Sequence, residues 1–147
     1  MDRQVIEQKL ESLRFCLKRV RQKTPESVAE LAGDADAQDV ITLNLTRAVQ
    51  LCVDIGSHLI AESDYPAPDT MGQTFDTLAR MGLISAELAL RMKKAVGFRN
   101  IAIHNYEAID WQITHLIATR HIEDFAFFAA AIVDFVEKHE DKPAHLE

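Results

Sequence analysis

The stretch ITLNLTRAVQLCVDIGSHLI, residues 41–60, decides the fold of this 147-residue chain. Its apolar residues recur at steps of three and four, which is the spacing of one face of an α-helix. That face consists of Ile41, Leu45, Ala48, Cys52, Ile55 and Leu59. An amphipathic helix of this length buries its apolar face against neighbouring helices. The stretch therefore predicts one long helix of a helical bundle.

The sequence before this stretch predicts two further helical segments. A first helix over residues 2–22 follows from apolar residues at helical spacing, namely Ile6, Leu10, Leu13, Leu17 and Val20. The triplet Thr24-Pro25-Glu26 has the form of an N-cap, a proline at the first helical position and a first-turn acid. It predicts the start of a second helix, which residues 33–36 (Gly-Asp-Ala-Asp) are expected to kink or interrupt before it continues.

The sequence after residue 60 predicts a loop and two more helices. Two prolines mark residues 63–69 as a loop, because proline cannot continue a helix. Thr70 and Gln73 have capping-box spacing and predict a short helix that ends near Arg80. Ser85 is the expected N-cap of the next helix.

The last long helix is predicted to begin at Asp110-Trp111, and its apolar stripe comprises Ala118, Ile122, Phe125, Ala129, Ile132 and Val136.

No segment is convincing as a strand, so the sequence predicts an all-α bundle of four or five helices. The length is that of a single domain over residues 1–147. We expect residues 140–147 to form a frayed tail, in which Leu146-Glu147 resembles the remnant of a cloning tag.

Charge is distributed unevenly along the chain. The formal net charge of −7 argues against broad electrostatic capture of nucleic acid. Residues 80–106, however, hold five basic residues against the single acid Glu87, and residues 1–23 hold seven against three. Local potential matters more to a phosphate than net charge does. For the N-terminal run we favour the simpler interpretation of a solvated helix face.

Cysteine content and hydropathy indicate a cytoplasmic protein. Cys16 and Cys52 lack the CxxC spacing of a redox or zinc motif and lie on apolar helical stripes, so buried, reduced thiols are expected. No apolar run approaches the roughly 18 residues of a membrane-spanning helix. The start, Met1-Asp2-Arg3-Gln4, has no apolar signal core.

The stretch RNIAIHNY, residues 99–106, concentrates chemically active side chains. Arg99 carries a fixed cation that binds phosphate oxygens in a fork, and His104 transfers protons near neutral pH. RNA supplies its own nucleophile, the 2′-hydroxyl, so a proton carrier and a cation are the minimum set for cutting it without a metal. Asn100 is placed to bind phosphate or orient the histidine, and Tyr106 to stack on a base or donate to phosphate.

Helix geometry limits how Arg99 and His104 can cooperate. On one ideal helix, two side chains five positions apart point about 140° away from each other. Either the helix ends between them and brings the imidazole round, or two copies of the motif meet across a symmetric dimer.

Other candidate sites have weaker support in the sequence. The six histidines show no HExxH pattern and no ligand spacing with cysteine, so no metal site is predicted. A histidine flanked by isoleucines is often a satisfied interior group, which is the alternative for His104. For Asp54, Ser57 and His58 we expect a buried interhelical hydrogen bond, while a functional role stays open.

The order Arg99-x4-His104-x-Tyr106, with Asn100 after the arginine, resembles the RX4HXY signature of the HEPN superfamily, specifically of the HepT-like ribonuclease toxins. Segments 74–78 (TFDTL), 82–84 (GLI) and Ile109-Asp110 support the resemblance, which covers essentially the whole domain. It implies a helical-bundle homodimer whose motif lines an RNA-cleaving cleft between protomers.

The resemblance also implies roles for individual residues. Arg99 and His104 would be catalytic, with Asn100 as the accessory polar residue, in metal-independent cleavage by 2′-hydroxyl attack. Similar toxins pair with a minimal nucleotidyltransferase antitoxin in type VII systems. That partner would transfer AMP from ATP to Tyr106, so ATP is a co-substrate of the antitoxin and the chain itself needs no cofactor. AMP beside Arg99 would add bulk and negative charge and block the cleft.

Two alternatives to a nuclease remain open from the sequence. The first is a non-catalytic HEPN module that binds nucleotide or RNA and regulates a partner nucleotidyltransferase. The second is a structural helical adaptor with His104 buried. The sequence does not distinguish transfer RNA from messenger RNA as the target.

Overall fold

The computed structural model describes residues 2–139, and the expectations for 140–147 fall outside that range. The described chain is helical and contains no strand. Its seven α-helices are α1 (Arg3–Lys23), α2 (Val28–Ala32), α3 (Ala35–Ala61), α4 (Met71–Arg80), α5 (Ala86–His104), α6 (Trp111–Leu116) and α7 (Ile122–His139). The all-α prediction is confirmed, with two short helices, α2 and α6, beside the five longer ones.

Helix α3 lies at the centre and packs against α1, α2, α4, α5 and α7. Its predicted apolar face is buried along its whole length, from Ile41 to Leu59. Phe75 of α4 and Phe128 of α7 close the core with an edge-to-face contact at 5.8 Å between ring centroids. Burying one such large side chain contributes about 1.5–3 kcal/mol. Both cysteines are buried and free, as predicted.

Gly56 allows α3 and α4 to approach closely. A Cβ atom at this position would lie 2.6 Å from Cγ2 of Thr74 and 2.9 Å from Cδ1 of Leu78. Contacts that short do not occur between packed carbon atoms, so any larger residue would force the Thr74 and Leu78 side chains, or the helices that carry them, to shift.

The start of the second helix differs from the sequence prediction. Thr24 is the C-cap of α1, and its hydroxyl donates to the carbonyl of Val20 at 2.6 Å. Ser27 is the N-cap of α2 instead, accepting from the backbone N–H of Glu30 at 3.1 Å. The triplet 24–26 was therefore assigned to the wrong helix end, because a threonine hydroxyl can serve either end.

The last helix is also less regular than predicted. It begins at the expected place, with Asp110 capping α6, but residues Ile117–His121 form a π-turn between α6 and α7. The hydroxyl of Thr119 donates to the carbonyl of His115 at 2.7 Å in this turn. Such side-chain bonds satisfy carbonyls that the widened backbone leaves without their usual amide partner.

Candidate active site

The 99–106 stretch lies at the C-terminal end of α5. This helix continues without a break from Arg99 to His104, and Asn105 caps it by donating its backbone N–H to Ile101 at 2.8 Å. Tyr106 opens a short 3-10 turn, Tyr106–Ala108. The alternative in which the helix ends between Arg99 and His104 is wrong. Within one chain the two side chains therefore leave the helix about 140° apart.

Arg99 is half-buried and only partly satisfied. Its Nη1 donates to Oδ1 of Asn100 at 3.1 Å, and its Nη2 donates to Oε1 of Gln50 at 3.4 Å. Its Nε is buried and has no hydrogen-bond partner within residues 2–139. The Nε donor is shielded from solvent, so what the guanidinium offers a ligand is a fixed positive charge held in place by Asn100 and Gln50.

Gln50 is a residue of the site that sequence reasoning missed. Its Nε2 donates to Oδ1 of Asp54 at 2.8 Å while its Oε1 receives the bond from Arg99. Asp54 in turn lies 3.8 Å from the ammonium of Lys9 on α1. This polar chain links α1, α3 and α5 and orients the guanidinium. No motif marks a lone glutamine on a helix, so only the packing of α3 on α5 identifies it.

Within residues 2–139, the structure does not contain the buried interhelical hydrogen bond that was expected for Asp54, Ser57 and His58. The side chain of Asp54 is 40% exposed, and Ser57 is exposed. The Nε2 atom of His58 is buried and has no partner among the described residues. The expectation was wrong because Asp54 points toward Gln50 and Lys9 at the surface.

His104 and Asn100 are both exposed on α5. In the described part of the chain, no hydrogen bond or ion pair engages the His104 imidazole, so its ring is accessible to a ligand. The alternative of a satisfied interior histidine is therefore wrong. The neighbours Ile101 and Ile103, which suggested burial, are themselves exposed.

Tyr106 is held against the first turns of α3. Its hydroxyl donates to Oδ1 of Asp39 at 2.8 Å, and its ring meets Trp111 edge-on at 6.1 Å between centroids. Partial burial raises the pKa of the phenol, and the hydrogen bond and negative charge of Asp39 add to that rise. The hydroxyl is thus protonated at neutral pH, accessible, and oriented by a carboxylate.

An apolar surface adjoins the site. Between α5 and the α6–α7 segment lies a cavity of about 600 Å³, whose lining includes Phe98, Ile101, Ile113 and Leu116. Three of these side chains are also strongly exposed, with Ile113 at 52%. A contiguous exposed apolar patch of this kind marks an interaction surface.

Two further features bear on function. Across residues 2–139, no three side chains of His, Cys, Asp or Glu converge as a group that could hold a metal ion. None of the helices described is both long and apolar enough to cross a membrane.

Comparison with known proteins identifies close relatives. Residues 11–132 match the sequence pattern of the family described as Ribonuclease HepT-like. The chain is also 32% identical over 128 residues to the mRNA nuclease HepT of Shewanella oneidensis, a match that covers 87% of this chain and 96% of that protein.

Solved structures show the same fold. One is the tri-AMPylated HEPN toxin of Shewanella oneidensis in complex with MNT antitoxin, with a TM-score of 0.83, 32% identity and coverage of 88% of this chain and 97% of that one. A second is a toxin–antitoxin crystal structure with AMP-PNP, with a TM-score of 0.81, 31% identity and coverage of 87% and 97%. Both matches extend over most of the bundle.

Proposed function

This chain belongs to the HepT-like ribonuclease family, and we propose that it is a metal-independent RNA endonuclease, the toxin of a type VII toxin–antitoxin pair. The observation that carries the proposal is the state of two side chains at the end of α5. Arg99 is a fixed cation held by Asn100 and Gln50, and His104 is exposed and unbound among the described residues. We place the protein in the cytoplasm, where its RNA substrate is found.

The active site is proposed to form between two copies of the chain. Because α5 is unbroken, Arg99 and His104 of one chain diverge. A symmetric dimer would bring Arg99 of one copy toward His104 of the other. The apolar surface around Ile101 and Ile113 supports such a contact because it adjoins the motif and is exposed in the single chain.

Each residue then has a distinct role in cleavage. His104 takes the proton from the 2′-hydroxyl as that oxygen attacks the adjacent phosphorus, and the imidazolium then protonates the departing 5′-oxygen. The bond between phosphorus and the 5′-oxygen breaks, leaving a 2′,3′-cyclic phosphate and a 5′-hydroxyl. Arg99 stabilises the charge that accumulates on the phosphorane, and Asn100 orients Arg99 through its amide oxygen. The cleavage requires no cofactor.

Tyr106 is the proposed site of control by a minimal nucleotidyltransferase antitoxin. The tyrosine oxygen would attack the α-phosphorus of ATP held by that partner, with release of pyrophosphate and transfer of the phenolic proton to Asp39. The related toxin solved as a tri-AMPylated complex with MNT antitoxin supports this assignment. The product carries a negative phosphodiester on the residue two positions after His104, where it would exclude substrate.

Mixed dimers test the proposal directly. Arg99→Ala and His104→Ala chains carrying different tags are co-expressed, and the heterodimer is isolated by two successive affinity steps. Each homodimeric variant should be inactive on RNA, whereas cleavage by the wild-type protein should be the same with and without EDTA. The heterodimer should regain about half of the wild-type activity, because one of its two Arg99–His104 pairs across the dimer keeps both residues.

Two outcomes would contradict the proposal. An inactive heterodimer together with inactive single variants would place Arg99 and His104 in the same-chain site. Full cleavage by either purified single variant would show that the substituted residue is not catalytic.

A further inference from the structure

A second surface, beside the proposed catalytic site, lies between α1 and α3. It is an open groove of about 740 Å³. The residues that define it here are Arg14, Phe15 and Lys18 of α1 and Arg47 and Gln50 of α3. We call it the α1–α3 groove.

The α1–α3 groove is positive in an acidic protein. Arg14, Lys18 and Arg47 are exposed along it, against the single acid Glu11, which lies 3.5 Å from Arg14. Arg47 is the only basic residue between positions 24 and 79. Arg47 lines the groove from α3, opposite the cations of α1.

Phe15 gives the groove a second recognition element. Its ring is 58% exposed, although α1 offers buried positions on its other face. An exposed aromatic ring between cations is the arrangement with which proteins hold single-stranded nucleic acid, because unpaired bases stack on the ring while phosphates meet the cations. A base within a duplex is not available for such stacking.

The groove is continuous with the proposed cleavage site. Gln50 lines the groove and also accepts the hydrogen bond from Nη2 of Arg99 at 3.4 Å. A strand bound along α1 and α3 would therefore reach the guanidinium that is proposed to hold the scissile phosphate.

We propose that the α1–α3 groove binds a single-stranded segment of the RNA substrate next to the scissile phosphate, with a base stacked on Phe15 and phosphates on Lys18 and Arg47. This inference rests on the proposed nuclease function. An acidic surface of a protein partner would satisfy the cations but would leave the exposed ring and the link to Arg99 without a role.

Binding is measured without cleavage in the His104→Ala background, by fluorescence anisotropy of a labelled, unstructured RNA of about 15 nucleotides. Phe15→Ala, Lys18→Gln and Arg47→Gln should each weaken binding about five- to tenfold. Lys18→Gln and Arg47→Gln should also flatten the dependence of log affinity on log salt by about 0.7 each. Phe15→Trp should retain the affinity, and Arg120→Gln, which removes an exposed charge outside the groove, should change nothing.

The outcomes separate this inference from the proposed function. Unchanged RNA affinity in all three groove variants would overturn the inference that the groove binds RNA. If the same variants instead weaken binding to the nucleotidyltransferase, the groove is a protein-docking surface. If the wild-type chain does not cleave RNA but the groove variants still lose affinity, the nuclease proposal fails while the groove remains an RNA-binding site. In the active protein, the same variants should raise KM for long, unstructured RNA.

Discussion

The hydroxyl oxygen of Tyr106 lies 2.8 Å from Oδ1 of Asp39, although 67 positions separate the two residues in the chain. The contact ties the turn after α5 to the first turns of α3. It also gives the only tyrosine of the RX4HXY motif a carboxylate partner. Two predictions follow from this pair alone.

The first concerns the ionisation of Tyr106. Burial and Asp39 raise its pKa in the folded state, so the fold favours the protonated phenol. The resulting stabilisation is present below the ordinary tyrosine pKa and disappears as pH rises through the folded value. The ionisation of Tyr106 can be followed by absorbance at 295 nm. Tyr65 is the only other tyrosine, so the Tyr65→Phe variant leaves Tyr106 as the only phenol that contributes. Adding Asp39→Asn should bring the Tyr106 transition to lower pH. A transition that Asp39→Asn does not move would show that burial alone sets it.

The second concerns adenylylation. Asp39→Asn should slow AMP transfer to Tyr106 by about 100-fold, the lower end of what a positioned general base contributes. Intact mass after incubation with the nucleotidyltransferase and ATP would measure the rate as AMP-sized steps. Tyr106→Phe should show no step. Asp36→Asn, on an exposed residue of the same helix, serves as the matched control and should react at the wild-type rate.

Gln50 is predicted to position Arg99 for cleavage. Gln50→Ala removes the oxygen that receives the Nη2 bond, so kcat on a dinucleotide should fall about tenfold, the loss of roughly one hydrogen bond to a charged group. KM should change little, because the cation itself remains. Gln112→Ala, at an exposed position of α6, should be neutral. If Gln50→Ala lowers thermal stability and leaves kcat intact, the glutamine is only structural.

The apolar surface is predicted to hold the dimer together. Ile113→Glu places a charge on a side chain that is 52% exposed in the single chain, so the fold should persist while the dimer dissociates. Sedimentation velocity should show a monomer, and RNA cleavage should be lost with it. Gln112→Glu adds the same charge at the adjacent exposed position and should leave both unchanged. A dimeric Ile113→Glu variant would place the interface elsewhere.

Gly56 yields a prediction about stability. Gly56→Ala would drive a methyl group against Thr74 and Leu78, and overpacking of this kind costs about 1–3 kcal/mol. Urea denaturation followed by circular dichroism measures the change in the free energy of unfolding. The control is Gly72→Ala on α4, where the new Cβ would meet only the flexible side chain of Lys93 at 3.6 Å. Equal effects of the two substitutions would mean that α3 and α4 can move apart at little cost.

Periodic apolar residues were sufficient to predict α1, α3 and α7, because each of these helices buries one apolar stripe. They could not reveal the π-turn, since the stripe through Ala118 and Ile122 continues across it. Capping residues predicted the starts of α4, α5 and α6 correctly, but Thr24 shows that cap chemistry alone does not say which helix end it serves.

The candidate site was predictable only in part. Its linear motif is visible in the sequence, whereas Gln50 and Asp39 become part of the site through the antiparallel packing of α3 on α5. The exposure of His104 was equally hidden, because its isoleucine neighbours suggested a core that they do not join.

Asp39 and Gln50 are eleven residues apart on α3, which returns them to the same side of the helix within about 20°. Asp39 binds Tyr106, the proposed site of adenylylation, and Gln50 binds Arg99, a proposed catalytic residue. A single inserted or deleted amino acid between them would turn one partner about 100° away from the other. The spacing between these two residues therefore couples both halves of the site, so a change of length in this part of α3 would disturb one of them even where every side chain is kept.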